Sequence, residues 1–314
     1  MRAIILRKFG GVEKLLMTEL ALPVILENEV LIEVKAISIN PVDVRTRSGI
    51  AMAEHLKHNN PLILGWDISG IVTSTGSKVS KFKKGDNVFG MVNFLGHGKG
   101  YAEFVAGSEE HIAHKPANIS HEEAAAATLA ALTAWQLLVR YAKIKPGNRI
   151  LIQAASGGVG HYAVQIAKHL GAYVIGISSA KNRRFVLGLG ADEHIAYDEQ
   201  RFEDVVSEVD FVLDAFAKDS LYQSLKVVKN GGTILSLLPM ISEDVLQKAR
   251  EKNVDIHYSL VESNGVDMEA IADLLEKGTL RSHVSQVFSF DKMGDAHIKM
   301  ETARTVGKII VKPK

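Results

Sequence analysis

The chain has no cysteine among its 314 residues. That excludes disulfides and every thiolate metal site, and leaves only His, Asp and Glu as metal ligands. Excess charge is missing too: 37 Lys and Arg face 36 Asp and Glu, a formal net charge of +1. Such a balance gives no electrostatic ground for a nucleic-acid partner. No apolar run is long enough to span a bilayer, which takes about 20 residues. The longest, Ala124–Val139, is Ala-rich and interrupted by Thr128, Thr133 and Gln136, so a buried helix is expected there. The opening MRAIILRKFGG reads as a short strand and a turn, without the apolar core of a secretory signal. Internal repeats and low-complexity segments are absent as well. The expectation is a cytoplasmic globular protein with no membrane and no nucleic-acid partner.

What is present is enough for two domains: a hydrophobic share of 46 % and a charged share of 23 % over this length fit ordinary globular cores. The first part is strand-rich. Val30–Ser38 alternates apolar and polar residues, and Ile68–Thr75 is β-branched-rich before the turn at Gly76. After Pro116 the rhythm changes. Ser120 and Glu123 have the spacing of a capping box opening the Ala-rich helix. Strands at Arg149–Gln153, Tyr173–Ile177, Val209–Asp214, Thr233–Leu238 and Val254–Ser259 then alternate with helices at Val159–Leu170, Lys181–Leu189, Ser220–Val228 and Ser242–Glu251. This alternation implies a doubly wound parallel sheet. The last 55 residues or so lose it (helices Asp267–Lys277 and Asp291–Thr302, strands Val284–Phe290 and Lys308–Lys312) and are expected to return to the first domain. The expected divisions are 1–118, 119–260 and 261–314.

Residues Ala155, Ser156, Gly157, Gly158, Val159 and Gly160 form G-x-G-x-x-G with alanine in the first place. The preceding strand and following amphipathic helix give this short motif its meaning. Gly157 lets backbone approach a pyrophosphate, Gly160 lets helix and strand pack closely, and the free N–H groups of the helix start bind the anion. The bland alternative is a tight strand–helix turn. NAD enzymes place an acid about 20 residues further on for the ribose 2′-hydroxyl; here the position holds Ser178. Serine hydroxyls at Ser178 and Ser179 with Lys181 and Arg183 would bind a 2′-phosphate that an acid would repel. NADP(H) is the expected cofactor, against the alternative that these cations merely begin an exposed helix.

At this point a resemblance becomes specific. Asn40-Pro41-Val42-Asp43 with Arg47 and Gly49, Gly65-Trp66-Asp67-Ile68-Ser69-Gly70, Gly85-Asp86-Asn87-Val88 and Gly100-Tyr101-Ala102-Glu103 resemble the zinc-free, quinone-oxidoreductase and zeta-crystallin group of the medium-chain dehydrogenase/reductase family. So do Leu132-Thr133-Ala134-Trp135, Ala154–Gly160, Leu189-Gly190-Ala191-Asp192, Gly231-Gly232 and His297…Glu301…Gly307-Lys308. The resemblance covers nearly the whole chain. It implies an α/β protein with a GroES-like β-domain, formed from both chain ends, and a Rossmann domain. It also implies a homodimer, for which the candidate edge strand is Val254–Ser259. Zinc-dependent relatives have cysteine where this chain has Asn40, and Gly-His-Glu where it has Gly65-Trp66-Asp67. No metal is therefore expected, and simple alcohol oxidation, which needs a Lewis acid, is a poor fit.

The resemblance places Asn40 at the nicotinamide pocket, where its carboxamide can stabilise charge on a substrate oxygen; the alternative is a loop residue bonding its own turn. Asp43 and Arg47 are expected to pair and so brace that loop. Thr133 is expected near the nicotinamide, or else to bond back to its own helix. Tyr197 and Arg304 are implied at the 2′-phosphate. Phe94–Gly100 is a glycine-rich loop suited to a lid or to plain turns. The histidine pairs His55/His58 and His111/His114 lack a third metal ligand, and Lys81–Lys84 reads as a solvated turn. The expected function is reduction of quinones or related activated carbonyl compounds by NADPH, with protons from solvent or a bound water. The alternatives are an alkenal or enone double-bond reductase on the same scaffold and an NADPH-binding structural or regulatory protein with little turnover.

Overall fold

The structure is a computed structural model that describes residues 1–313. The chain divides into two compact units: Met1–Leu132 with Glu262–Lys314, and Thr133–Val261.

In the second unit, six strands form one sheet in the spatial order Glu193–Ala196, Tyr173–Ser178, Arg149–Ile152, Val209–Asp214, Val228–Ser236, Asp255–Tyr258. Every neighbouring pair is parallel. Parallel strands need both faces covered, and the central strands supply apolar residues for it: Leu151, Ile175, Val212 and Ile234 are buried, and Leu221 and Val245 from flanking helices pack into the same core. The first strand in sequence lies inside the sheet, next to the fourth. The order in which successive strands are added reverses between them, and in such sheets ligands bind beyond the carboxyl ends of the strands at that switch point. The strand expected at an edge is at one: Asp255–Tyr258 ends the sheet.

The first unit is built on a seven-stranded sheet. Its centre is the long strand Glu29–Ile39, paired antiparallel with Asp67–Thr75 on one side and with Lys308–Lys312 on the other. The register sets Ile309 opposite Ile39, and Asp67 opposite Ser38. Residues from positions near 40, 67 and 308 are thereby brought to one place.

The Ala-rich helix is not continuous. It runs from His121 to Ala126, resumes at Leu129–Trp135, and ends in a wide turn of helix over Gln136–Tyr141. The physical reason lies in a neighbour. Asp67 Oδ1 accepts the Leu129 backbone N–H at 3.1 Å, and Thr128 Oγ1 turns back to the Ala125 carbonyl at 2.7 Å. A carboxylate at the head of the second segment restarts the helix there. The Ser120 capping box is present, with Glu123 Oε2 accepting the Ser120 N–H at 2.8 Å. Among the described residues no helix is long and apolar enough to cross a membrane.

Candidate functional site

In the second unit the strand Arg149–Ile152 leads through a tight turn into the helix Gly158–His169. Gly157 is the N-cap residue of that helix, in extended conformation. Gly160 faces the turn so closely that a Cβ there would lie 2.1 Å from the Ala154 carbonyl oxygen. Only glycine fits, which is the close helix–strand approach the motif requires. Ala155 and Ser156 are buried in the turn, and no acid stands in the first turn of the helix. The site therefore presents backbone N–H groups to an anion without a competing charge, and it fits a dinucleotide pyrophosphate.

The strand Tyr173–Ser178 ends beside this turn. Ser178 and Ser179 are buried, whereas Lys181, Arg183 and Tyr197 are exposed. The expected helix from Lys181 is instead a short turn, Ala180–Asn182, followed by the helix Arg183–Gly188. Asn182 accounts for the difference: its Nδ2 donates to Ser156 Oγ at 3.0 Å and to Ser179 Oγ at 3.1 Å. One side chain thus ties the glycine turn to the end of the second strand. Two acids also reach this corner. Asp198 Oδ1 accepts the Ala180 N–H at 2.8 Å, and Glu199 pairs with Arg183. Sequence reading missed Asn182, Asp198 and Glu199, because each acts through a partner at least three positions away.

At the switch point itself a buried network joins the two central strands. Asp214 Oδ2 accepts from Gln153 Nε2 at 3.2 Å, Ser220 Oγ at 2.8 Å and Ser224 Oγ at 2.9 Å. Its other oxygen accepts the Phe216 and Ala217 N–H groups at 3.0 and 2.8 Å. A carboxylate with five donors is well satisfied, and it fixes the loop that leaves the fourth strand. Thr133 is a buried residue of the same unit.

In the first unit Asn40 is the N-cap of the helix Pro41–Arg47 and is almost fully buried, at 1 % exposure. Its carboxamide reaches beyond the capping box it forms with Asp43. Nδ2 donates to Asp67 Oδ2 at 2.7 Å, and Oδ1 accepts from Lys308 Nζ. An ammonium only donates and a carboxylate only accepts, so the two partners dictate which end of the amide faces which. The amide dipole lies between a cation and an anion whose closest atoms are 3.9 Å apart. Burial pushes Asp67 up and Lys308 down, and each is held back by the other's charge.

Asp43 Oδ2 accepts the Asn40 backbone N–H at 2.7 Å, and burial raises this carboxyl to about 7. Arg47 was expected to pair with Asp43; it pairs with Glu301 instead. Tyr101 Oη and His297 Nε2 are 2.9 Å apart, and burial lowers His297 to about 3, so its ring is neutral. Lys308 is the main residue that sequence reading missed here. Its signal was a lysine at the head of the apolar run Ile309-Ile310-Val311.

The glycine-rich loop after Phe94 is tied down rather than loose. Phe94 N donates to Ser263 Oγ at 3.0 Å, Trp66 Nε1 to the Gly96 carbonyl at 2.8 Å, and Ile63 N to His97 Nε2 at 3.0 Å. Arg304 is exposed on the C-terminal segment of this unit. Among the described residues no three His, Asp or Glu side chains gather as a metal-binding group.

Comparison with known proteins bears on these features directly. Residues 26–117 match the alcohol dehydrogenase GroES-like domain, and residues 189–311 match the zinc-binding dehydrogenase family. A 2-methylene-furan-3-one reductase of Solanum lycopersicum is 34 % identical over 97 % of this chain and 77 % of its own length. The chain belongs to the medium-chain dehydrogenase/reductase family, in its zinc-free, quinone-reductase-like group. Among solved structures, a quinone oxidoreductase from Coxiella burnetii superposes with a TM-score of 0.94 at 35 % identity, covering 100 % of this chain and 99 % of the other. The Escherichia coli quinone oxidoreductase complexed with NADPH superposes with a TM-score of 0.89 at 29 % identity over the whole of both chains. The two units are the GroES-like β-domain and the Rossmann domain of this family. One family description names zinc, yet this member has no cysteine anywhere, and Asn40 and Trp66 stand at the two positions where the resemblance puts zinc ligands in its zinc-dependent relatives.

Proposed function

We propose that the protein is an NADPH-dependent reductase that transfers hydride to quinones or related activated carbonyl compounds without zinc. The observation that carries this reading is the end of the second Rossmann strand. Ser178 and Ser179 stand there beside Lys181 and Arg183, where a carboxylate would exclude a 2′-phosphate. When bound, the nicotinamide supplies the hydride.

The roles of the side chains follow from their surroundings. Ala155–Gly160 cradle the pyrophosphate. Ser178, Ser179, Lys181, Arg183 and Tyr197 take the 2′-phosphate, and Thr133 borders the nicotinamide. Asn40 has two amide protons and gives one to Asp67; the second stabilises charge developing on the reduced oxygen. Asp43 holds the Asn40 backbone in place. Similarity to the tomato furanone reductase favours reduction of an enone double bond as the second reading. The reading includes a cytoplasmic homodimer joined through the edge strand Asp255–Tyr258, whose outer side has no neighbour in the sheet among the described residues; a monomer in sedimentation at micromolar concentration would contradict it.

The test is oxidation of NADPH and NADH by a panel of quinones and enones. Turnover with quinones and a clear preference for NADPH are expected. Turnover with enones alone would favour the second reading. No turnover with any acceptor, despite tight NADPH binding, would leave a nucleotide-binding protein.

A further inference from the structure

The corner that holds Ser178 also contains a histidine. Strands Tyr173–Ser178 and Glu193–Ala196 are parallel neighbours whose register pairs His194 with Gly176 and Ala196 with Ser178. His194 and Ser178 are therefore diagonal neighbours on one face of the sheet, and Ser178 Oγ lies 2.7 Å from His194 Nε2.

The direction of that hydrogen bond is set by the other ring nitrogen. His194 Nδ1 is buried and has no hydrogen-bond partner among the described residues. A buried N–H without an acceptor costs more than an unused lone pair, so the proton of the neutral ring sits on Nε2. Burial, followed by the charge of Arg183, keeps the ring neutral by lowering its affinity for a second proton. Nε2–H therefore donates to Ser178 Oγ. The hydroxyl proton must then point elsewhere. Its present acceptor is the Ser179 carbonyl at 3.3 Å, a long contact that a phosphate oxygen outcompetes as a charged acceptor.

We propose that His194 is a positioning residue for the 2′-phosphate of NADPH: by donating to Ser178 it makes that hydroxyl an obligate donor to a phosphate oxygen. The proposal rests on the assignment of Ser178 to the phosphate site. It adds a selectivity determinant that lies outside the glycine motif and carries no formal charge.

The experiment measures dissociation constants for NADPH and NADH on wild-type protein, Ser178→Ala, His194→Leu, His194→Gln and the double variant Ser178→Ala/His194→Leu. His194→Leu should weaken NADPH roughly fivefold, the worth of one ordinary hydrogen bond, and leave NADH within about twofold. His194→Gln, whose amide Nε2 can donate in place of the imidazole, should restore most of the loss. The double variant should lose no more than Ser178→Ala alone. If Ser178→Ala leaves the NADPH-to-NADH ratio unchanged, the assignment of Ser178 falls, and the proposal with it. If Ser178→Ala lowers the ratio while His194→Leu does not, or if His194→Leu weakens both nucleotides equally, the proposal alone is overturned.

Discussion

The polar groups of the two units are organised in opposite ways. In the first unit Asn40, Asp43, Asp67 and Lys308 are each at most 2 % exposed and bond mainly to one another. In the second, Lys181, Arg183 and Tyr197 stand in solvent, and Arg183 is held by a carboxylate that is itself half exposed. A buried set is rigid and costly to disturb, because removing one member strands the others. An exposed set is inexpensive to change and free to reorganise around a ligand. The difference suits a fixed electrostatic environment in one unit and a nucleotide that comes and goes in the other.

Lys308→Met breaks the comparison hardest. It leaves Asp67 buried without its cation and removes the donor that anchors Asn40. Loss of one partner from a buried pair costs about 3–5 kcal/mol, so urea denaturation should show a fall of that size. A stability near wild type would mean that the cluster is not held by its charges.

The acid response of His297 comes next. Its folded value of about 3 lies below the ordinary 6.5, so the unfolded chain takes up the proton first. The stability from keeping this ring neutral is fully present above pH 6.5 and is lost as pH falls toward 3, by about 1.4 kcal/mol per pH unit. Asp43, raised to about 7, acts with the opposite sign: its contribution is present at acid pH and is lost as pH rises through 7. Only a variant therefore isolates the histidine. His297→Gln should gain about 2 kcal/mol relative to wild type between pH 6.5 and pH 5, measured by chemical denaturation at both values. Parallel pH profiles would show that His297 does not carry the effect.

Asn40→Ala joins the buried cluster to the chemistry. Turnover should fall roughly tenfold, the worth of an ordinary hydrogen bond, with NADPH affinity nearly unchanged. The loss should be greater for a weakly activated enone than for a quinone, since the poorer acceptor depends more on polarisation. Steady-state rates on a folded variant decide it, and unchanged rates for both substrates would reduce Asn40 to a structural cap.

The smallest effect belongs to the exposed corner. Glu199 pairs with Arg183, and at the proposed site it competes with a 2′-phosphate for that guanidinium. Glu199→Gln should tighten NADPH about two- to threefold, in keeping with the modest worth of a surface pair, and leave NADH unchanged. Weaker NADPH binding would mean that Glu199 aids the site by orienting Arg183.

The two units also differ in how far the sequence discloses them. The glycine turn is contiguous, and its meaning follows from a strand before it and a helix after it, so residues 155–160 could be read directly. Ser178 could be read as the absence of an acid. The buried cluster could not, because Asn40, Asp67 and Lys308 meet only through the registers that set Ile309 opposite Ile39 and Asp67 opposite Ser38. The same long-range contact hid the break in the Ala-rich helix. Alanines favour continuity locally, and Asp67, some sixty residues earlier, overrides them by binding the Leu129 N–H. His194 escaped notice for a similar reason: its meaning depends on a strand pairing and on one unpartnered nitrogen.

Selection of the phosphorylated cofactor by the end of the second Rossmann strand is the central expectation for this protein. Fluorescence titration of wild-type protein and of Ser178→Asp with NADPH and NADH tests this most directly. Wild-type protein should bind NADPH at least about tenfold more tightly than NADH, as a charge-assisted contact to phosphate warrants. Ser178→Asp should abolish or invert that ratio by weakening NADPH through charge repulsion. Equal wild-type affinities, tighter NADH, or a ratio untouched by Ser178→Asp would contradict it.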